Sequence, residues 1–515
     1  MASDFSSSLL ALCIGVIFSG VLGYSWKKAF SRSLPYPPGP KGWPLIGNVL
    51  DVPKSYPWIA YRDWSRKYGP IVHLRVFGQS IVVLNTAKAV SDLLEARSAN
   101  YSDRVRPVMV SLMGLDWNVA FMPYGSTWRQ HRRAVHQYFD SDRIRGYESV
   151  QLKTARQLLG HLHREPANFL SLLNFMIGAG IIEITYGHIV HDSNNPYLAL
   201  SRNGSVAASE GLIPGAFLVE FFPFLRHIPA WFPGAVFKRK AAEWKKTFRA
   251  MVEVPFNDAR AAIESGEAVP SVVAQILDNL GDLKGDRETR EMEVAQNSLA
   301  AVYAAGADTT YSTMQAFFLA MVLRPEVQNK AQLELDAVIG PGRLPDFSDR
   351  PSLPYITAIV KECIRWMPVI PLGVPHATMA DDEYDGYLIP KGSVVIGNQW
   401  ALLHDPEDYP EPETFTPERF IKKGKLDPNV KDPGAAAFGF GRRSCAGREF
   451  AESTLFINIA SILHAFHITP ALDVFGRSIV PEPRATSGFL SHPIPFECSV
   501  KPRSSSAEFL ITEWQ

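Results

Sequence analysis

Uncharged, mostly apolar residues run without a break from Phe5 to Trp26. At about 1.5 Å per residue a helix of that length matches the ~30 Å hydrocarbon layer of a bilayer, so the run predicts a membrane anchor over residues 1–30. Lys27, Lys28 and Arg32 follow at once, whereas the start carries only Asp4. Such a flank stays cytosolic, which favours a retained anchor with a cytosolic bulk over a cleaved signal. The stretch Pro35-Tyr36-Pro37-Pro38-Gly39-Pro40 cannot be helical and predicts a stiff collar over residues 31–48.

Beyond the collar, Val72, Leu74 and Val76 alternate with His73 and Arg75, and Gly78-Gln79 turns the chain into Ile81–Leu84, the pattern of a β-hairpin. From about residue 86 to 370 the apolar positions follow the 3.6-residue period, with no regular alternation of strands and helices. Short strands return between Tyr384 and Gly397, and a proline-rich irregular stretch runs from Asp405 to Pro433. The expected architecture is mainly α with a small β part, in a single domain over residues 49–515. A helix from about Arg287 to Leu323 is apolar on nearly every face after Val294, which predicts burial in the core. Gln296, Asn297, Asp308 and Gln315 oppose a second membrane span there. Its middle, Ala305-Gly306-Ala307-Asp308-Thr309-Thr310, is weak in helix propensity and predicts either a distortion with polar groups facing a cavity or a packing kink.

Charge changes the picture by exclusion. Lys plus Arg and Asp plus Glu both total 52, so no net field supports a nucleic-acid partner. The 46% apolar and 20% charged content belongs to a globular chain and rules out a disordered one. Four cysteines, at 13, 363, 445 and 498, are too scattered for a zinc knuckle or a disulfide framework and point to a reducing compartment. Cys13, Cys363 and Cys498 sit in an apolar run, a helical pattern and the tail, which leaves Cys445 to explain.

Cys445 precedes an amphipathic run, Arg448 to Leu463, that predicts a helix. Helix-terminal N–H groups and Arg443 would lower its thiol pKa, making a thiolate that acts as metal ligand or nucleophile. Gly439, Gly441 and Gly447 would let the loop lie against a flat ligand. A dinucleotide loop is excluded, because the third glycine is missing at Ser444 and no strand precedes.

The segment Phe438-Gly439-Phe440-Gly441-Arg442-Arg443-Ser444-Cys445-Ala446-Gly447 resembles the heme-ligand loop of the cytochrome P450 family, Phe-x-x-Gly-x-Arg-x-Cys-x-Gly, at every fixed position. Glu362-Cys363-Ile364-Arg365, Pro417-Glu418-Arg419-Phe420, Trp128-Arg129-Gln130-His131-Arg132 and Ala305–Thr310 match further family elements in order and spacing, so the resemblance covers essentially the whole chain. It implies heme b with Cys445 as the axial thiolate. It places Trp128, Arg132, His376 and Arg443 at the heme propionates, with Phe438 and Gly439 in the cofactor-binding loop. Glu362, Arg365 and Arg419 become a structural ion network, and Asp308 and Thr309 the groups that deliver protons to oxygen.

The resemblance further implies electrons from NADPH through a separate partner. This is NADPH-cytochrome P450 reductase with FAD and FMN, meeting a basic face at Arg129, Arg133, Arg442 and Arg448. It implies O2, a lipophilic small-molecule substrate and residence in the endoplasmic reticulum membrane. The apolar segment Phe217–Phe237 is either core or membrane-dipping. A substrate wall is expected from Val108–Ala120, Tyr303, Pro371–Val374 and Ser487–Leu490. The chain looks most like fungal members that hydroxylate terpenoids and other secondary metabolites. A heme-thiolate isomerase or dehydratase and a heme sensor are the alternatives, and neither has use for the Asp308-Thr309 pair.

Overall fold

A computed structural model describes residues 34–213, 215–281 and 284–513. The apolar run Phe5–Trp26 and its basic flank lie outside the described residues. Alternating side chains form a hairpin, β1 (Ile71–Val76) against β2 (Gln79–Leu84), in register from Ile71↔Leu84 to Val76↔Gln79. Phe77 and Gly78 turn it at positive φ of 45° and 87°, the backbone that keeps strand twist across a two-residue turn. The proline run is fastened to this hairpin. The His73 N–H donates to the Pro38 carbonyl at 2.9 Å, and the Tyr36 ring stacks on His73 at 5.0 Å.

Three later strands widen the hairpin: β3 (Asp103–Arg104), β4 (His376–Ala377) and β5 (Val394–Gly397), in the order β1-β2-β5-β4-β3. β5 runs parallel to β2, and β4 pairs antiparallel with both β5 and β3. This crossover sets Arg104 directly opposite His376, residues far apart in sequence.

The helices that frame the interior are α1 (Ser126–Tyr138), α2 (Glu148–Arg164), α3 (Phe169–Tyr186), α4 (Pro196–Gly211), α5 (Val236–Glu264), α6 (Asp286–Leu323), α7 (Pro354–Trp366) and α8 (Arg448–Ala465). Among the described residues, one helix, Pro166–Tyr186, is long and apolar enough to cross a membrane, and it is mostly buried. It packs against α6 through the main hydrophobic core, with Phe169 stacked on Phe318 at 5.0 Å. α6 stays α-helical throughout its 38 residues, so no change of helix type marks Ala305–Thr310. The polar groups are absorbed by the helix itself. Thr309 Oγ1 donates to the Ala305 carbonyl at 2.8 Å, and Thr313 Oγ1 to the Thr309 carbonyl at 3.1 Å. What survives is an opening: Ala305 is exposed and Gly306, Asp308 and Thr309 are half-buried, in the part of the helix from Val294 onward that is otherwise largely buried.

Candidate active site

Cys445 stands on the loop ahead of α8, and its N–H donates to the Phe438 carbonyl at 2.7 Å, folding the loop back on itself. Gly439 takes φ 75° and Gly441 φ 54° to make that fold. A Cβ on Gly441 would fall 2.3 Å from the Leu94 carbonyl oxygen, so this glycine serves packing between two chain segments. That corrects its assignment to ligand approach. The Cys445 side chain is exposed although protein surrounds it, which places the sulfur at the surface of an internal cleft.

Enclosure pushes the Cys445 thiol above its ordinary pKa, against the Gly447 N–H and the Arg132 charge, which favour the thiolate. The groups that favour the thiolate are thus the Gly447 N–H and Arg132, in place of the expected helix terminus and Arg443. The helix begins only at Arg448, and Arg443 is turned away toward carbonyls. A coordinated cation would reverse the balance, since a coordinating thiol is deprotonated outright.

Arg443 Nε donates to Ser102 O at 2.8 Å, Nη1 to Val119 O at 3.2 Å and Nη2 to Met122 O at 2.8 Å, while its guanidinium lies 4.3 Å from the Trp128 ring centre. Arg104 donates to the carbonyls of Ala120, Val374 and Pro375 at 2.9, 2.6 and 3.1 Å. Arg132, on α1, has no hydrogen-bond or ion-pair partner among the described residues, and it lies close enough to Cys445 for each to feel the other's charge. His376 completes the group, its Nδ1 on the Tyr101 carbonyl at 2.7 Å. Burial lowers its pKa well below the ordinary value, and Arg104 and Arg443 push in the same direction. Burial also lowers Arg443 to about 10, with Arg132 adding to the fall and Asp103 opposing it.

Asp103 is the one carboxylate that acts on Arg104 and Arg443. Three guanidiniums against one carboxylate, which Arg106 also approaches at 4.0 Å, leave an excess of at least two positive charges (three minus one) beside a cleft that holds an accessible sulfur. Buried cations of this kind require anions. A flat ligand with two carboxylates and a metal that takes one thiolate, which is the chemistry of heme b, fits that donor set. Trp128, Arg132, His376 and Arg443 are thus brought together with Phe438, Gly439 and Cys445. Arg104 joins them unforeseen from the sequence. No local motif marks it, and only the β3–β4 pairing discloses it.

Away from the cleft, Glu362 and Arg365 of α7 are fully buried, with Arg365 Nε and Nη2 at 2.7 and 2.9 Å from the Glu362 oxygens. Arg419 Nε reaches Glu362 Oε1 at 3.2 Å, and the Thr416 N–H donates to the same oxygen at 2.7 Å. The remaining Arg365 donors go to the carbonyls of Leu403 and Thr414, so the ion group is satisfied by hydrogen bonds as well as charge.

Asp308 and Thr309 lie on the open part of α6, and Asp308 meets a residue not singled out from the sequence, His492, at 3.5 Å. Other expectations change. Tyr303 is fully buried, its hydroxyl donating to the Tyr197 carbonyl, so it does not line the cleft. Val108, Met109 and Val110 are buried in the core cluster and leave only the later part of that loop half-buried. Arg448 is neutralised by Asp432 at 2.6 Å and Glu452 at 2.9 Å, which removes it from the basic face and leaves Arg129, Arg133 and Arg442 exposed there. Of the segment Phe217–Phe237, Leu218, Phe224, Trp231 and Phe232 are exposed, so that part of it is not core.

The family model for cytochrome P450 matches residues 37–500. A cytochrome P450 monooxygenase of Armillaria gallica is 44% identical over 507 residues, covering 97% of this chain and 99% of the relative. A cytochrome P450 monooxygenase of Coprinopsis cinerea is 42% identical, covering 94% and 95% of the two chains. The tryptamine 4-monooxygenase of Psilocybe cyanescens is 40% identical, covering 96% and 98%.

Proposed function

The chain belongs to the cytochrome P450 family, and on that premise we propose that this heme-thiolate monooxygenase oxygenates a lipophilic secondary metabolite, a terpenoid first among them, at the bilayer surface. The single observation that carries the reading is the accessible Cys445 sulfur beside an uncompensated excess of two positive charges. Cys445 would hold the heme iron, and Arg104, Arg132, Arg443, His376 and Trp128 would hold the two propionates. When bound, heme supplies the iron at which dioxygen is reduced and its oxygen transferred. The chain's own contribution is to exclude water with the apolar walls and to move protons. Thr309 holds its hydroxyl on the Ala305 carbonyl at the cleft, and Asp308 is the acid beside it.

An apolar surface supports arrival of substrate through the membrane. Leu218 is 65%, Phe224 67% and Trp231 78% exposed, and Phe77 at the hairpin tip packs on Phe221 and Phe222 at 5.1 Å. Trp43 and Leu45, exposed and next to the same tip, extend the surface toward the start of the described chain. Residence in the endoplasmic reticulum membrane rests on Phe5–Trp26 with its basic flank, and electron supply by NADPH-cytochrome P450 reductase on Arg129, Arg133 and Arg442. Phe121 and Phe489, the latter on the expected substrate wall, lie 6.4 Å apart between ring centres and supply apolar surface suited to a hydrocarbon.

The test is co-expression with the reductase and feeding of monoterpene and sesquiterpene hydrocarbons beside tryptamine. The expected result is NADPH-dependent product from a terpene with the mass of one added oxygen. Oxygenation of tryptamine alone, the substrate in the Psilocybe relative's name, would overturn the terpenoid assignment.

A further inference from the structure

The loop from Ala485 to Pro493, whose ends meet in a β-bridge, is held in one conformation by its own backbone. The Thr486 N–H donates to the His492 carbonyl at 2.8 Å, and the His492 N–H to the Thr486 hydroxyl at 3.0 Å. Ser312 of α6 donates to the Ser491 carbonyl at 2.9 Å and pins the loop one turn beyond Asp308. His492 Nε2 is thereby set 3.5 Å from Asp308 Oδ2, in ion-pair range and a few tenths of an ångström from a hydrogen bond.

Neither partner is satisfied elsewhere. Asp308 Oδ2 and His492 Nδ1 are buried without a hydrogen-bond partner among the described residues. The imidazole side chain is 24% accessible and that of Asp308 14%, with Oδ2 itself sealed, so the ring offers that oxygen a path to solvent.

Few other groups compete. From α6, Tyr311 lies 6.3 Å from the imidazole between ring centres, and its hydroxyl accepts from the Gln315 amide at 2.8 Å. Burial pushes that phenol up to about 12, with Asp308 adding to the rise. On the loop side Arg484 and Glu482 pair with each other at 2.7 Å and are exposed. From the amino-terminal segment, Tyr56 bonds the Ala485 carbonyl and the Ser487 hydroxyl. Imidazole is, among side chains, the one whose general chemistry suits both taking and giving a proton.

We propose that His492 is the proton-supplying partner of Asp308. The imidazolium gives its Nε2 proton to Oδ2, leaving a neutral imidazole and a carboxylic acid, and bulk water recharges Nε2. His492 is a positioning residue that acts through Asp308, and the inference rests on the monooxygenase reading above.

The test uses the heme-loaded full chain with reductase, turning over a sesquiterpene from the feeding panel. Because backbone bonds fix the loop, His492→Gln keeps its conformation. In the wild type, product per NADPH falls as pH rises through the range where imidazoles titrate, and hydrogen peroxide rises. His492→Gln shows low coupling with that pH dependence flattened. A variant that keeps the wild-type slope overturns the proposal, since a purely structural role leaves the slope in place.

A second arm needs no turnover. Diethyl pyrocarbonate labels neutral imidazoles, and peptide mass mapping reads His492 directly. Asp308→Asn accelerates labelling at His492 by about two- to fivefold, the worth of a partly exposed ion pair. Equal rates overturn the pairing. A wild-type holoprotein that couples no NADPH to product at any pH overturns the monooxygenase reading instead, and the labelling arm still reports on the pair.

Discussion

Arg132 shows what a single side chain reveals about this site. A half-buried guanidinium with no partner among the described residues, within charge reach of an accessible thiol, is suited to an anion from outside the chain. Charge-assisted hydrogen bonds are worth about 1.5–3 kcal/mol, so Arg132→Gln is expected to weaken heme retention about 10- to 100-fold with the fold intact. Heme transfer to an excess of apomyoglobin measures it, and an unchanged transfer rate would remove Arg132 from the site.

Residues carried by short local motifs were legible in the sequence. Cys445, Glu362, Arg365 and Trp128 each sit at fixed spacing from their neighbours. Arg104 and His492 were not, because each acquires its meaning from a segment far away in sequence: His376 for one, Asp308 for the other. At Cys445 the motif disclosed the ligand, but not that Arg132 and the Gly447 N–H are the groups beside its sulfur.

At the scale of elements, the hairpin and the long buried helix follow from period and turn chemistry, and both are present. The middle of α6 does not follow. Low propensity there suggested a distortion, but flanking turns deep in the core keep it α-helical, and threonine hydroxyls bond to their own backbone. The heme-loop glycines carry a similar lesson, since a Gly-rich stretch does not say which glycine answers to a ligand and which to the chain.

Gly441 answers to Leu94, and the paired substitutions Gly441→Ala and Gly340→Ala separate the two effects. Gly340 takes φ 72° with open space around its would-be Cβ, so its replacement reports backbone strain alone, about 1 kcal/mol. Gly441→Ala adds a backbone clash and is expected to cost at least about 1–3 kcal/mol more in urea unfolding. Equal losses would show that the close approach to Leu94 is not what demands glycine.

Across the whole molecule, stability should depend on pH through histidines buried neutral away from the cleft. Burial lowers His404 to about 3, with Arg365 contributing, and lowers His464 to about 4, with Arg503 contributing. In the unfolded chain imidazole charges near about 6.5. Between that value and the folded ones the unfolded chain binds protons that the fold does not. Stability is therefore full above about pH 6.5 and declines toward acid, by at most about 1.4 kcal/mol per pH unit for each group. Urea midpoints should fall between about pH 7 and about pH 5. A level or rising midpoint would contradict the neutral state of these side chains.

The family membership of the whole chain and the chemistry of its cleft converge on one sulfur–iron bond. The most direct measurement is the absorption spectrum of the reduced, heme-loaded protein under carbon monoxide, for the wild type and for Cys445→His. A Soret maximum displaced far to the red in the wild type, and returned in the variant to the position of imidazole-ligated hemes, is the predicted result. A wild-type maximum already at the imidazole position, or a red-displaced maximum that survives in Cys445→His, would contradict it.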